Sequence, residues 1–303
     1  MAEAVVDTLR IDVCRRCQAL WFDHREIAAL PPRLEPPDRP LSADPLRERA
    51  IMQVTEMQRR YQQGEANGGA PDDIWKKVVG VLGLPVEIGA MVTAQRPWVT
   101  WSLVAAIIIT WLMSVGFGLN AAVREFGFLP AQPWRLGGLT VFTAFFLHAT
   151  PLHLIGNVYL LWLAGDNVEE ALGRWRFLAL VALATLIGMV AHAGLDPRSD
   201  RSCIGASGGI SGILAVYVLI HPRAWIGRAW FYGRLWIRFP AWTLFALWAL
   251  VQLWMAWGQI SGVGRVSALA HLGGVVTGVG FWAVWQAGRR FAPAQPTATR
   301  TER

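Results

Sequence analysis

Residues 205–212 read Gly-Ala-Ser-Gly-Gly-Ile-Ser-Gly, and they open an apolar run that continues to residue 220. This stretch sets a serine among four glycines at the start of a segment that is apolar enough to be a membrane helix. Gly208 and Gly212 are four residues apart, so they share one helix face and would let a second helix approach closely. The stretch is therefore either a small-residue packing face or the setting of a nucleophile, Ser207.

A second stretch favours the nucleophile. Residues 270–274 read Ala-His-Leu-Gly-Gly, so His271 falls in the first turn of another apolar segment, which carries Gly274 and Gly278 on one face. A serine nucleophile needs a base within hydrogen-bond reach, and two facing glycine stripes would allow that approach. No acidic residue lies in this last segment or near the start of the Ser207 helix. The residues thus predict a Ser207–His271 dyad without an acidic third member.

The composition indicates a polytopic membrane protein. The chain has 303 residues, of which 54% are hydrophobic and 17 are tryptophans, and its mean hydropathy is +0.35. This apolar content is higher than a soluble protein of the same length needs. A membrane helix needs about 20 apolar residues. The first such run begins near residue 98, so we expect no cleavable signal, and the first span should itself direct insertion. The predicted fold is all-α with six transmembrane helices, at 98–117, 150–170, 175–194, 204–221, 240–257 and 268–286.

Basic residues near the span ends predict the orientation. With the N-terminus inside, nine arginines flank the inner ends of the spans and five flank the outer ends, which favours cytoplasmic N- and C-termini. The net charge of +7 is then explained by basic groups beside anionic lipid. A nucleic-acid partner is not predicted. The inner set is Arg96, Arg174, Arg176, Arg223, Arg228, Arg234, Arg238, Arg289 and Arg290, and the outer set is Arg124, Arg135, Arg198, Arg201 and Arg265.

The second span carries polar candidates. Thr150 followed by Pro151 is a typical helix start, and His153 and Asn157 then lie on one face, one turn apart. Polar side chains inside a membrane protein are costly and indicate function. We therefore assign His153 and Asn157 to the active site, whereas we expect His148, just before the helix, to bond a neighbouring loop.

These candidates fall at one depth. In the predicted orientation the second, fourth and sixth spans all run inwards from the outer face, so their first turns lie in the same layer. His153 with Asn157, Ser207 and His271 occupy those three turns. The segment at 120–147, between the first two spans, is apolar and aromatic, so we expect it either to dip into the outer leaflet or to form an additional helix.

The N-terminal region is a separate small domain. Cys14 and Cys17 form a C-x-x-C followed by Leu-Trp-Phe-Asp at 20–23, and this resembles the C-terminal half of a TFIIB-type zinc ribbon. The other C-x-x-C of that family is absent, so a structural zinc would need further ligands, His24 among them. The alternative is a vestigial ribbon or a simple strand and turn. Neither cysteine, nor Cys203 on the opposite side, is expected to form a disulfide.

Further boundaries follow from composition. A proline-rich linker at 31–45 precedes a polar helix at 45–63. An amphipathic helix at 72–91 should lie on the inner membrane surface or belong to the soluble N-terminal domain. The prediction is a ribbon-like segment at 1–30, a linker and helices at 31–95, a membrane core at 96–290 and a disordered tail at 291–303.

Taken together, the core is similar to the rhomboid intramembrane serine proteases over about residues 96–290. The matching features are Trp134-Arg135 in the outer segment, the pattern of His148, His153 and Asn157, the Gly205-x-Ser207-Gly208 motif, and His271 with its two glycines. The resemblance implies a six-helix bundle, Ser207 as nucleophile, His271 as base, and an oxyanion site from the Ser207 amide with His153 and Asn157. It also implies single-pass transmembrane substrates, no cofactor for catalysis, and, given the ribbon-like prefix, a bacterial inner membrane.

Two other function classes stay open. One is a catalytically inactive rhomboid-like protein that binds membrane segments for escort or degradation, which the presence of both Ser207 and His271 disfavours. The other is a small-solute transporter using the histidine and asparagine cluster. Transporters commonly have repeated halves with broken helices at matching positions, and the sequence has no internal repeat.

Overall fold

The computed structural model describes residues 2–6, 9–13, 20–21, 71, 74–88, 96–196, 198, 200–222, 224–230, 235–264 and 266–290. Two compact units make up the chain: Met1–Ala94 with Trp225–Phe239, and Gln95–Ala224 with Pro240–Arg303. The predicted zinc ligands Cys14, Cys17 and His24, the linker at 31–45, the helix at 45–63 and the tail at 291–303 lie outside the described residues. They therefore stay predictions.

The first unit contains β-structure, so the all-α description applies to the second unit only. Strands β1 (Ala2–Val6), β2 (Leu9–Val13) and β3 (Leu20–Trp21) form an antiparallel sheet, and β3 coincides with the start of the Leu-Trp-Phe-Asp stretch. A second sheet has the order β4 (Val86–Ile88), β5 (Trp225–Trp230) and β6 (Leu235–Pro240). The sequence predicts no strand in the region 223–239, where its arginines count only as charges at the inner ends of the spans. The arginines there are interleaved with aromatic and β-branched residues, which favour strands.

The helix predicted at 72–91 is shorter than expected. Helix α1 (Ile74–Val81) ends because Gly83 adopts a positive φ of 87°, which lets the amides of Gly83 and Leu84 bond back to Gly80 and Val79. This arrangement is a common helix terminator, and Pro85 follows it. The chain then enters β4, which pairs antiparallel with β5.

The second unit is helical. All six apolar segments are helices, and the segment at 120–147 forms two short helices and a 3-10 turn. The elements are α2 (Trp98–Phe117), α3 (Leu119–Phe126), the 3-10 turn Arg135–Gly138, α4 (Thr140–Phe146), α5 (Pro151–Leu172), α6 (Arg174–Leu195), α7 (Ser207–Ile220), α8 (Ala241–Ile260) and α9 (Ala268–Arg290).

These helices make the chain a multi-pass membrane protein, but six full spans are not confirmed. Among the described residues, four helices, α2, α6, α8 and α9, are long and apolar enough to cross a membrane, and α4 with α5 makes a fifth candidate bent by 96°. Helix α7 has 14 residues and is about 21 Å long, which is less than the roughly 30 Å hydrocarbon core. The part of the chain that the structure describes thus supports four to five spans.

Helix α7 lies at the centre of this unit. Nine of its 14 residues are buried, whereas α2 and α8 expose most of their apolar side chains. It packs on α9 through the predicted glycine stripes: a Cβ added to Gly212 would lie 3.1 Å from the Gly274 carbonyl oxygen, and one added to Gly278 would lie 3.0 Å from Gly212 Cα. The prediction of close backbone approach is confirmed. This contact sets the separation of the first turns of α7 and α9.

A buried carboxylate fixes α2 against α5. Glu169, on α5, accepts hydrogen bonds from the amides of Val99 and Thr100 at 3.0 and 2.8 Å and from the Thr100 hydroxyl at 2.8 Å. It thereby satisfies free amides at the start of α2, where the helix dipole also favours a negative charge. Since Glu169 is near the end of α5, the two helices run antiparallel. The start of α2 and the end of α5 consequently lie on the same side.

Candidate active site

Ser207 and His271 meet between α7 and α9. The Ser207 hydroxyl oxygen lies 2.7 Å from Nε2 of His271, and both residues are half-buried. Ser207 is the first residue of α7, and His271 lies in the first turn of α9, as the sequence predicted. The distance is that of a hydroxyl hydrogen bond. A serine and a base are therefore in direct contact in a partly open site.

The other ring nitrogen of His271 contacts a residue that the sequence analysis missed. Nδ1 lies 2.7 Å from Oε1 of Gln252, a buried side chain on α8. Trp248, one turn earlier on α8, packs its ring against the imidazole with centroids 6.1 Å apart. The sequence predicts a dyad because no aspartate or glutamate lies near His271, and that reasoning leaves out an amide partner. The signal was present, because Gln252 is a polar residue within an apolar membrane segment.

His153 lies beside Ser207, and Gly205 makes room for it. Gly205 has a positive φ of 114°, and a Cβ there would lie 2.7 Å from Nε2 of His153 and 3.9 Å from the Ser207 hydroxyl oxygen. The position thus excludes larger residues both by conformation and by space. Thr150 caps α5 by accepting the His153 amide at 3.2 Å, with Pro151 following, which confirms the predicted helix start.

The buried ring of His148 packs against the ring of His153. It is fully buried, its Nδ1 lies 3.2 Å from the Phe146 carbonyl oxygen, and its ring meets that of His153 edge-on at 4.9 Å. For an N–H at Nδ1, that carbonyl is the acceptor. These contacts agree with the predicted loop-bonding role, since they fix the chain between α4 and α5 and the orientation of the His153 ring.

Asn157 is buried one turn after His153. Its side-chain amide donates to the His153 carbonyl oxygen at 2.9 Å, so in this structure it bonds its own helix.

The first-turn amides of α7, from Ser207 and Gly208, point out of the helix start because an α-helix provides no internal acceptor for them. Such amides are suited to stabilising an oxyanion formed at Ser207.

The chain also matches a known protein family over the region that holds this site. Residues 130–287, slightly more than half of the chain, match the model of the family described as "Rhomboid domain". The chain belongs to the rhomboid family. The matched range contains Ser207, His271, His153 and Asn157, along with Gln252.

Three rhomboid relatives are similar to parts of the chain. It is 32% identical over 124 residues, 41% of its length, to the Bacillus subtilis (strain 168) protein named "Putative rhomboid protease YdcA". It is 34% identical over 91 residues, 30% of its length, to "Rhomboid-related protein 1" of Caenorhabditis elegans. It is 32% identical over 107 residues, 35% of its length, to "Presenilin-associated rhomboid-like protein A, mitochondrial" of Danio rerio. The chain spans 56%, 23% and 27% of these three relatives respectively.

The segment before the rhomboid site is held by Arg135. Its guanidinium donates to the carbonyl oxygens of Arg124, Glu125 and Gly127, which ties the 3-10 turn to the end of α3. Trp134 is 82% exposed. These contacts give Arg135 a role in shaping the segment, while Trp134 presents its ring at the surface.

The loop that leads into Ser207 is held by backbone bonds. Cys203 and Phe128 exchange amide–carbonyl bonds of 2.8 and 3.2 Å, and the Gly205 amide donates to the Ala144 carbonyl oxygen at 2.8 Å. The Cys203 thiol is buried, and this burial raises its pKa to about 11. The approach to Ser207 is thus fixed by neighbouring backbone, and Cys203 acts as a small buried apolar residue.

A second polar network holds the loop between α8 and α9. Gln259 donates to Asp196 at 2.7 Å and accepts the Leu269 amide at 3.0 Å, two residues before His271. The Arg198 guanidinium donates hydrogen bonds of 2.9 and 2.8 Å to the two carboxylate oxygens of Asp196 and one of 2.6 Å to the Gly264 carbonyl oxygen. The Arg198 guanidinium holds the pKa of the Asp196 carboxyl well below its usual range. The network thus ties the loop between α8 and α9 to the end of α6.

Proposed function

We propose that this rhomboid-family protein is an intramembrane serine endopeptidase that cleaves single-pass transmembrane substrates near the outer membrane face. The observation that carries the proposal is the 2.7 Å contact between the Ser207 hydroxyl and Nε2 of His271. A non-catalytic family member has no need to keep a nucleophile and a base in hydrogen-bond contact.

The proposed chemistry is acyl transfer. As the Ser207 oxygen attacks the scissile carbonyl carbon, its proton passes to Nε2 of His271, and the tetrahedral intermediate forms. His271 then returns that proton to the leaving amine, the C–N bond breaks, and an acyl-serine remains. Water then gives a proton to Nε2 of His271 and attacks the acyl carbon, the ester C–O bond to Ser207 breaks, and His271 returns the proton to the Ser207 oxygen. The N-terminal fragment of the substrate leaves with a new C-terminal carboxyl group.

The proposed oxyanion site combines backbone and side chains. The Ser207 amide at the start of α7 is the fixed donor, and His153 is supported as a second donor by its position against Gly205. Asn157 is the third candidate. Because its amide now bonds the His153 carbonyl, its contribution requires a side-chain rotation towards the oxyanion when substrate binds.

The membrane location and orientation of the chain are also part of the proposal. We propose a bacterial inner membrane, cytoplasmic termini and α7 as a short sixth membrane helix, supported by the arginine distribution and by family membership. The antiparallel arrangement of α2 and α5 agrees with consecutive spans of opposite direction. Catalysis needs no cofactor in this mechanism, and any zinc at Cys14 and Cys17 would be structural.

The test is cleavage of a single-pass model substrate in liposomes by the purified full chain. Wild type should cleave, and Ser207→Ala should not, although both fold to the same melting temperature. Folded wild-type protein that binds the substrate but never cleaves it would instead identify a non-catalytic member of the family.

A further inference from the structure

Gln252 occupies an unusual position on α8. It is 5% exposed within a helix whose neighbouring side chains, Leu250, Leu253 and Trp254, are largely exposed and apolar. Its Oε1 lies 2.7 Å from Nδ1 of His271, on the opposite edge of the ring from Ser207. A polar side chain buried at this depth is costly unless it is paired, and this one is paired with the proposed base.

The chemistry of the imidazole gives this pairing a consequence. A neutral imidazole has one N–H donor and one acceptor nitrogen, and the tautomer is set by the partner of the other nitrogen. An amide oxygen only accepts, so Gln252 selects the tautomer with the proton on Nδ1. Nε2 is then the acceptor, which is the state required to take the Ser207 proton. The opposite tautomer would present an N–H to Ser207 and could not act as its base.

We propose that Gln252 is a positioning residue for the Ser207–His271 pair, a role that rests on the proposed protease function. Its carbonyl oxygen fixes the tautomer and the ring orientation of His271, as an acidic third residue does in other serine hydrolases, but without adding a charge to a membrane interior. Trp248 restricts the same ring from one face. The site therefore works as a dyad oriented by an amide.

The chain offers a matched control for a purely structural role. Gln259 is also a buried glutamine of α8, 1% exposed, and its side chain contacts Asp196, His192, the Ser267 hydroxyl and the Leu269 amide. Replacing it removes buried hydrogen bonds of the same kind without touching the His271 ring. Loss of Gln259 should lower the melting temperature, whereas loss of Gln252 should lower the chemical rate.

The experiment compares Gln252→Leu, Gln252→Glu and Gln259→Leu in full-length protein. Measurements are kcat and KM on a transmembrane substrate, the rate of fluorophosphonate labelling at Ser207, and the melting temperature. Gln252→Leu leaves the Nδ1 proton without an acceptor, so kcat and the labelling rate should fall roughly ten- to a hundredfold with KM within about threefold. Gln252→Glu keeps an acceptor oxygen at the same reach and should restore most of the rate. Gln259→Leu should keep kcat within about threefold when assayed below its melting temperature.

Several outcomes would overturn the positioning role. These are wild-type kcat and labelling in Gln252→Leu, equal loss of kcat in Gln252→Leu and Gln259→Leu, or a folded Gln252→Glu that is as slow as the leucine variant. If Gln252→Leu does not fold, the kcat of folded Gln252→Glu tests the positioning role: most of the wild-type rate supports it, and a large loss contradicts it. Failure of the protease proposal looks different, because wild type would then show neither cleavage nor labelling that depends on Ser207.

Discussion

Replacing Gly274 with alanine should disable the site without touching either reacting residue. A Cβ at Gly274 would overlap the Gly208 carbonyl oxygen and lie 3.0 Å from the Gly208 carbonyl carbon and 3.1 Å from Ser211 Cβ. Carbon atoms prefer about 3.5–4.0 Å, so α7 and α9 would have to separate by roughly 1 Å at this level. His271 is three residues before Gly274, and its 2.7 Å contact with Ser207 would stretch beyond hydrogen-bond range. A misplacement of about 1 Å can cost around a hundredfold in rate, and we expect at least that loss of kcat.

The assay is substrate cleavage in liposomes, with Gly280→Ala as the matched control. Gly280 lies on the same helix, and a Cβ there would meet no atom within 4 Å apart from the backbone of its own helix, so this variant should keep wild-type kcat and melting temperature. Gly274→Ala with wild-type kcat, in a folded protein, would refute the reasoning, because it would show that the glycine contact does not set the Ser207–His271 distance. Equal loss in both variants would refute it as well.

Three further predictions concern the rest of the site and the first unit. Asn157→Ala should reduce kcat by about 10² to 10³ if its amide reaches the oxyanion, and should slow Ser207 labelling without abolishing it, whereas unchanged kcat would exclude that role. Asp196→Asn should lower the melting temperature at neutral pH. The pKa of Asp196 is depressed in the folded state, so its carboxylate stabilises the fold above the unfolded pKa of about 3.9, and this stability is lost on acidification. The difference in melting temperature between Asp196→Asn and wild type should therefore shrink as the pH falls below that value. A difference that does not change with pH would contradict this. Deletion of residues 1–90, or chelation of metal, should leave cleavage intact because every proposed catalytic residue lies beyond Arg96, and complete loss in a folded core would contradict it.

Much of the site could be predicted from the sequence because its signals are local. The glycine stripes of α7 and α9 have helical spacing, and Ser207 and His271 stand at helix starts, so a shared depth followed from alternating span direction. The cap at Thr150 is a local pattern too. Each of these depends on residues within one or two turns of the chain.

The missed features depend on contacts between distant segments. Gln252 touches His271 across 19 residues, and Glu169 caps α2 across about 70. Neither pairing has a local spacing that would reveal it. The strands β5 and β6 were missed because their arginines entered the prediction only as charges at the inner ends of the spans. The pairing of β5 with β4 also joins residues more than a hundred positions apart.

The central claim is that Ser207 and His271 act as one chemical unit. The most direct measurement is kcat for cleavage of a transmembrane substrate by Ser207→Ala, His271→Ala and the double variant, in protein whose folding is checked by melting temperature. Residues that act as a unit are strongly non-additive, so each single change should abolish measurable turnover and the double variant should be no slower than either. Turnover that persists in Ser207→Ala, or losses that multiply in the double variant, would contradict the account.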